Sequence, residues 1–303
     1  MKLTLKRALH QRLLPFCAAL VFLTASALGA EETERNFSLK DITALSIFYQ
    51  EGNITLGQTS GDVLILKEDL RRVKNADVES AGTTLAITGE SRDWGFPGIG
   101  HRNKVYIGVP RNFRGKLTLE LRSGTLNGAA DFSFDEAAIR LASGIVELQG
   151  LRARIIDIQI VSGTLRARGL YGETSLAVSS GTIACAGLEG TAHRVRVNSG
   201  NTKIQGLRGK MDARVNSGNI SLDVAELSDN ISLSVSSGGG RITLPADAAF
   251  NLDAETESGT ISLKSPKGSY RVRDRSTVMR PVGSNPRYTV YARIASGNIA
   301  IIQ

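Results

Sequence analysis

Residues 195–220 read VRVNSGNTKIQGLRGKMDARVNSGNI, and the hexapeptide RVNSGN occurs in them twice, from Arg196 and again from Arg214, 18 residues later. The duplication belongs to a longer series. Ser-Gly pairs place their glycine at 124, 144, 163, 181, 200, 218, 238, 259 and 297. The steps are 18 to 21 residues until the last, which is 38. That doubled step implies a coil around Val278 that has lost its Ser-Gly. Gly52 and Gly61 carry weaker copies.

Counted from each corner glycine, the residue two places on is apolar in most copies: Leu126, Val146, Leu165, Ile183, Ile220, Ile261 and Ile299. Four places on stand Leu148, Ala167, Cys185, Ile204, Leu222, Leu263 and Ile301. Alternation with a period of two marks a strand with one buried face. A Gly-Leu pair then follows in several copies, as at Gly150-Leu151, Gly169-Leu170, Gly187-Leu188 and Gly206-Leu207. A second alternating strand leads into the next Ser-Gly. A unit of this size cannot bury its apolar face alone, so units must stack, each placing its inward side chains over those of the last. The expected fold is all-β: a right-handed, parallel β-helix-like β-solenoid with coils of about 19 residues. An antiparallel sandwich would show the alternation without one dipeptide at near-constant spacing. Cys185 should point inward with Ile204 and Leu222, as a small apolar group.

Residues 35–122 keep strand-like runs but lose the period, and are expected to form the first coils and an N-terminal β cap over a strand edge that would otherwise be sticky. The organisation expected is a signal peptide at 1–30, cap and first coils at 31–122, and a regular solenoid at 123–303 with an irregular basic insertion at 264–288. The loop at 91–103 holds the only tryptophan, Trp94, which together with Phe96 is expected to pack on the solenoid end.

The chain opens with Lys2, Lys6, Arg7 and Arg12, then an apolar run from Leu13 to Leu23, then small residues to Ala30. That order is a secretory signal peptide, with cleavage expected after Ala30, or after Ala27. The apolar run is too short for a mature span, and no later one is long enough, so no transmembrane segment is expected in the mature chain. Phe16 before Cys17 does not fit a lipid-attachment motif. The expected location is periplasmic or secreted. Losing four basic and no acidic residues lowers the formal charge from +8 to +4, which does not argue for nucleic acid. Cys185 is then the sole cysteine, so no internal disulfide is expected.

By its repeated Ser-Gly-x-Ile-x-Leu units after a signal peptide, over about residues 42–303 and including Val105–Pro110, the chain resembles a bacterial envelope family of β-strand repeats, a domain of unknown function described as adhesin-like. The resemblance implies a solenoid outside the cytoplasm and carries no catalytic residues over.

Secreted β-helices can also act on polysaccharides, which requires clustered carboxylates on an outer face. Asp253, Glu255 and Glu257 share one outward strand but read as a solvated ladder facing basic coils. With His101 and His193 as the only histidines after residue 30, and no CxxC pair, neither a metal nor a cofactor is expected. Two other classes remain open: a non-catalytic binding or adhesin-like module that reads a glycan, lipid head group or protein, and a structural or regulatory envelope scaffold. The asymmetric surface legible in the sequence is a candidate anionic-ligand patch. Arg194 and Arg196 point outward on one strand, Arg214 lies one coil later at the height of Arg196, and Lys203, Arg208 and Lys210 lie on adjoining segments of the same coils.

Overall fold

The computed structural model describes residues 32–69, 75–90, 104–266 and 268–303. The expected signal peptide, the Trp94 and Phe96 loop, and Lys267 lie outside the described residues. Thirteen strands follow one another: β1 (Glu32–Ser38), β2 (Ala44–Thr59), β3 (Val63–Asp69), β4 (Asp77–Ala81), β5 (Thr84–Gly89), β6 (Lys104–Pro110), β7 (Lys116–Ser133), β8 (Glu136–Glu226), β9 (Ile231–Thr243), β10 (Phe250–Ser265), β11 (Gly268–Arg273), β12 (Ser276–Val282) and β13 (Tyr288–Ile302). The fold is all-β and solenoid-like. β8 alone is one continuous run of 91 residues that passes through successive coils.

The coils pair in parallel with corner on corner. Gly52 pairs with Gly124, Gly124 with Gly144, and Gly218 with Gly238. The physical reason lies at the corner itself. Gly200 has φ of +138°, a conformation that penalises any Cβ. A Cβ built there would also fall inside the van der Waals shell of the Gly181 carbonyl oxygen. The same close approach repeats from Gly124 to Gly238, so backbone sits directly on backbone at each rung. The doubled RVNSGN is thus one corner written for two adjacent rungs. The amide of Asn216 donates to Oδ1 of Asn198 at 3.0 Å, and that of Asn219 to Oδ1 of Asn201 at 3.2 Å.

Stacking in register puts each apolar row over the last and makes one continuous core, from Leu45 and Ile47 near one end to Phe250 and Leu252 near the other. Buried side chains of this size contribute about 1.5–3 kcal/mol each. Cys185 is buried with Ile204 and Leu222, as the period-two reading expects. Its thiol is pushed up to about 12 by burial, which leaves it inert as a nucleophile.

The order of rungs departs from the order of the chain at both ends. No coil lies at Val278: β12 runs antiparallel to β10, with Val278 opposite Ala254. The 38-residue step is filled by the antiparallel strands β11 and β12, after which β13 returns between β9 and β10, pairing in parallel with both, Gly297 against Gly238 on one side and Gly259 on the other. The spacing concealed this, since a coil without its corner and a pair of antiparallel strands produce the same doubled gap. At the opposite end β2 lies between β7 on one side and β5 and β6 on the other. Beyond these outer rungs the ladder turns antiparallel, with β4 on β5 and β3 on β6 at one end and β11 and β12 on β10 at the other. At the first of these ends a buried ion pair ties three strands together. Arg35 Nη2 lies 2.7 Å from Glu68, whose carboxylate also accepts from the Tyr49 hydroxyl at 3.1 Å and from the Ala76 amide.

Gly200→Val should lower the unfolding free energy by at least about 3 kcal/mol, from backbone strain plus steric conflict with the preceding rung. Asn201→Thr, which places there the residue found at Thr182, should cost less than about 1 kcal/mol. Urea unfolding of the two variants beside the parent measures both. Equal stability of Gly200→Val and the parent would refute the corner stack.

Candidate functional site

The coils that begin at Gly163, Gly181 and Gly200 present three outward strand segments divided by glycine corners. In the coil of Gly200 the first segment carries Arg194 and Arg196, the second Lys203, and the third Arg208, with Lys210 just past the Gly209 corner that closes it. Corners with positive φ at Gly200, Gly206 and Gly209 separate them. Arg214 takes the height of Arg196 one rung on. The structure therefore brings Arg194, Arg196 and Arg214 together on one segment, and places Lys203 on a second, Arg208 on a third and Lys210 beyond the corner that follows it.

The first segment is partly neutralised. Asp212 sits between two arginines, 3.3 Å from Arg214 Nε and 4.0 Å from Arg194 Nε. Arg196 has no ion-pair partner among the described residues. On the third segment Arg208 pairs with Glu226 one rung away. Farther along the first segment Glu255 pairs with Arg293 of the neighbouring rung at 2.9 Å. That contact gives Glu255 a basic neighbour, while Asp253 stands opposite Tyr291 and Met279. Exposed pairs of this kind contribute about 0–1 kcal/mol each and are easily exchanged for a ligand.

The second segment holds features that the sequence reading did not assemble. A depression of 280 Å³ lies between Arg166 and Arg168 on one side and Lys203 on the other, floored by Ala184 and Ala186. A second, of 480 Å³, reaches past Ser221 to Arg241. The signal was present in the alternation of large and small outward residues three places after each corner glycine. A cavity of 690 Å³ also opens at the β1 end, lined by Leu39, Ile42, Asn112 and Phe113 with Lys116 and Asp135. Lys116 there is bound to Glu136 at 2.9 Å, a contact that lowers the Glu136 carboxyl below its ordinary value. Among the described residues no three potential metal ligands cluster, and no helix is long and apolar enough to cross a membrane.

The family model described as Toastrack DUF4097 matches residues 42–302, and the chain belongs to that family. No curated protein matches the sequence. Among solved structures, the chain is similar to a "putative adhesin" from Bacteroides fragilis, at 14% identity over 89% of this chain and 97% of that one, with a TM-score of 0.42. It is also similar to a "putative lipid binding protein" from Parabacteroides distasonis, at 14% identity over 90% and 97% of the two chains, with a TM-score of 0.45. A "putative cell adhesion protein" from Clostridium sporogenes matches at 12% identity over 90% of this chain and 100% of that one, with a TM-score of 0.23.

One buried titratable group lies beneath these faces. His193 fills the inward row between Thr174 and Met211, and its Nε2 lies 2.9 Å from the Arg208 carbonyl oxygen. Nδ1 is buried without a hydrogen-bond partner. Neutral imidazole fits this environment with the proton on Nε2, donated to Arg208. Burial holds the pKa below its ordinary value, against an opposing pull from that hydrogen bond. The unfolded chain then binds the proton first as pH falls. The stability from neutral His193 is complete above its ordinary value of about 6.5 and is lost as pH drops from there toward the lower folded value. Urea unfolding at pH 7.5 and pH 5 should show a drop in wild type that is reduced in His193→Met. An identical pH dependence in the two proteins would show that His193 does not contribute.

Proposed function

We propose that this Toastrack-family protein is an exported, non-catalytic binding module of the bacterial cell envelope that holds an anionic ligand on its outer surface. The observation that carries this reading is the stacking of like charges at Arg196 and Arg214. Adjacent rungs lie about 4.8 Å apart. Two guanidinium stems at that spacing repel, and Asp212 offsets only part of the charge. An anion placed across Arg194, Arg196 and Arg214 relieves the remainder, with Lys203, Arg208 and Lys210 contributing from the neighbouring segments. Acidic glycans and lipid head groups share the required chemistry.

The finer architecture is part of the same reading. The coils of about 19 residues wind right-handed, the strands before residue 123 cap one end, and residues 264–288 form an insertion at the other. The basic, apolar and small-residue order of residues 1–30 supports export into the periplasm or beyond. Native protein isolated from the envelope should begin near Glu31. An intact Met1 on a membrane-bound form would refute the cleaved signal.

Binding to acidic polysaccharide or anionic vesicles should weaken steeply with salt, because exposed charges are screened beyond about 8–10 Å. Replacing Arg194, Arg196 and Arg214 together by Ser should weaken binding about tenfold at low salt, with a melting temperature close to that of the parent. Undiminished binding by the folded triple variant would remove this patch from the site.

A further inference from the structure

We infer that the second strand segment forms a groove for a linear acidic glycan bearing a charge on every second sugar. The inference rests on the anionic-ligand reading but assigns the polymer to a different face from the Arg194, Arg196 and Arg214 cluster. Three residues past the corner glycine, the outward side chains from the Gly163 rung onward are, in rung order, Arg166, Ala184, Lys203, Ser221, Arg241 and Ala300, with Asn127 and Glu147 on the two rungs before them. Cation and small residue alternate through six rungs. The register is direct where the later strands meet: Ser221 opposes Arg241, Arg241 opposes Ala300, and Ala300 opposes Ser262, which opposes Arg271. With rungs about 4.8 Å apart, the cations recur about every 9.5 Å along the solenoid axis.

The two depressions lie where this alternation puts them. Ala184 and Ala186 floor the first, with Arg166 and Arg168 at one wall and Lys203 at the other. The second continues over Ser221 to Arg241, with the amides of Asn201 and Asn219 along its side. Glu147 occupies Arg166 at 2.9 Å, whereas Arg168, Lys203 and Arg241 have no ion-pair partner among the described residues. Asp223, two positions beyond Ser221, is the acidic group on this part of the face. Cations separated by hollows fit a chain in which an uncharged ring follows each acidic one. The ring settles over the small residue, its hydroxyls reach the amides, and the acidic group meets the cation. A lipid surface makes no use of hollows, and a nucleic acid carries charge on every unit, out of step with alternate rungs.

The test uses purified protein and length-matched oligosaccharides, with affinity read by titration calorimetry at low and physiological salt. The probes are hyaluronan, with a carboxylate on every second sugar, alginate, with one on every sugar, and neutral chitin. Hyaluronan should bind most tightly, and lengthening it from two to six sugars should raise affinity about tenfold or more as further cations engage. Replacing Arg168, Lys203 and Arg241 by Ser should weaken binding about tenfold. Ala184→Leu combined with Ser221→Leu, which fills the hollows without changing charge, should weaken it comparably in a protein that melts like the parent. No binding of hyaluronan by wild type, equal affinity for hyaluronan and alginate, or full binding by the leucine variant would each overturn the groove. Loss of binding only on replacing Arg194, Arg196 and Arg214 would also overturn it while leaving the proposed function intact.

Discussion

Everything in this molecule depends on how closely one corner can sit on the next. At each Ser-Gly from Gly124 onward the carbonyl oxygen of one rung rests against the α-carbon of the following glycine, with no room for a side chain between them. That contact locks the register of neighbouring coils, and a slip of one residue would turn every apolar side chain to solvent. Core continuity, the asparagine ladders and the outer charge rows all follow from this single backbone constraint. The corner therefore acts as the index mark from which every other position in the coil is counted.

The ends show what a parallel stack must do when the repeat stops. An exposed last rung would offer a row of unpaired amides and carbonyls to any other strand. Both ends answer it with antiparallel strands, β3 and β4 at one and β11 and β12 at the other. At the β10 end a rung later in the chain, β13, lies inside one made earlier, whereas at the other end the later β5 and β6 lie outside β2. β10 contacts β13, β11 and β12 but not β9, so it joins the body of the solenoid only through the last strand of the chain. The C-terminal residues are thus an internal rung and not a loose tail.

The outer surface is organised by segment as well as by coil. On the first and third segments Arg214, Arg293 and Arg208 are met by Asp212, Glu255 and Glu226, while Arg196 stands without an ion-pair partner among the described residues. On the second, cations stand apart with small residues between them, and the surface hollows accordingly. Charges on the outer surface can therefore form a partly compensated face or a recessed one, according to which rung each occupies.

The sequence by itself determined the all-β class, the repeat and the inward rows, because alternation and corner glycines are local signals that each coil repeats. Cys185 could be placed in the core on that basis alone. Val278 could not be placed correctly. Any coil offers the same backbone donors and acceptors as any other, so the repeat says that coils stack without saying in what order. Only the tertiary structure decided that β13 enters between β9 and β10. Likewise, Arg194, Arg196 and Arg214 were legible as neighbours, since one coil separates them at most. The row from Arg166 through Lys203 to Arg241, and onward by Ala300 and Ser262 to Arg271, requires rungs up to 59 residues apart in sequence to lie side by side. Non-local pairing of that kind is a property of the assembled stack, and the depressions it creates exist only once the small residues of one rung are flanked by the long ones of the next.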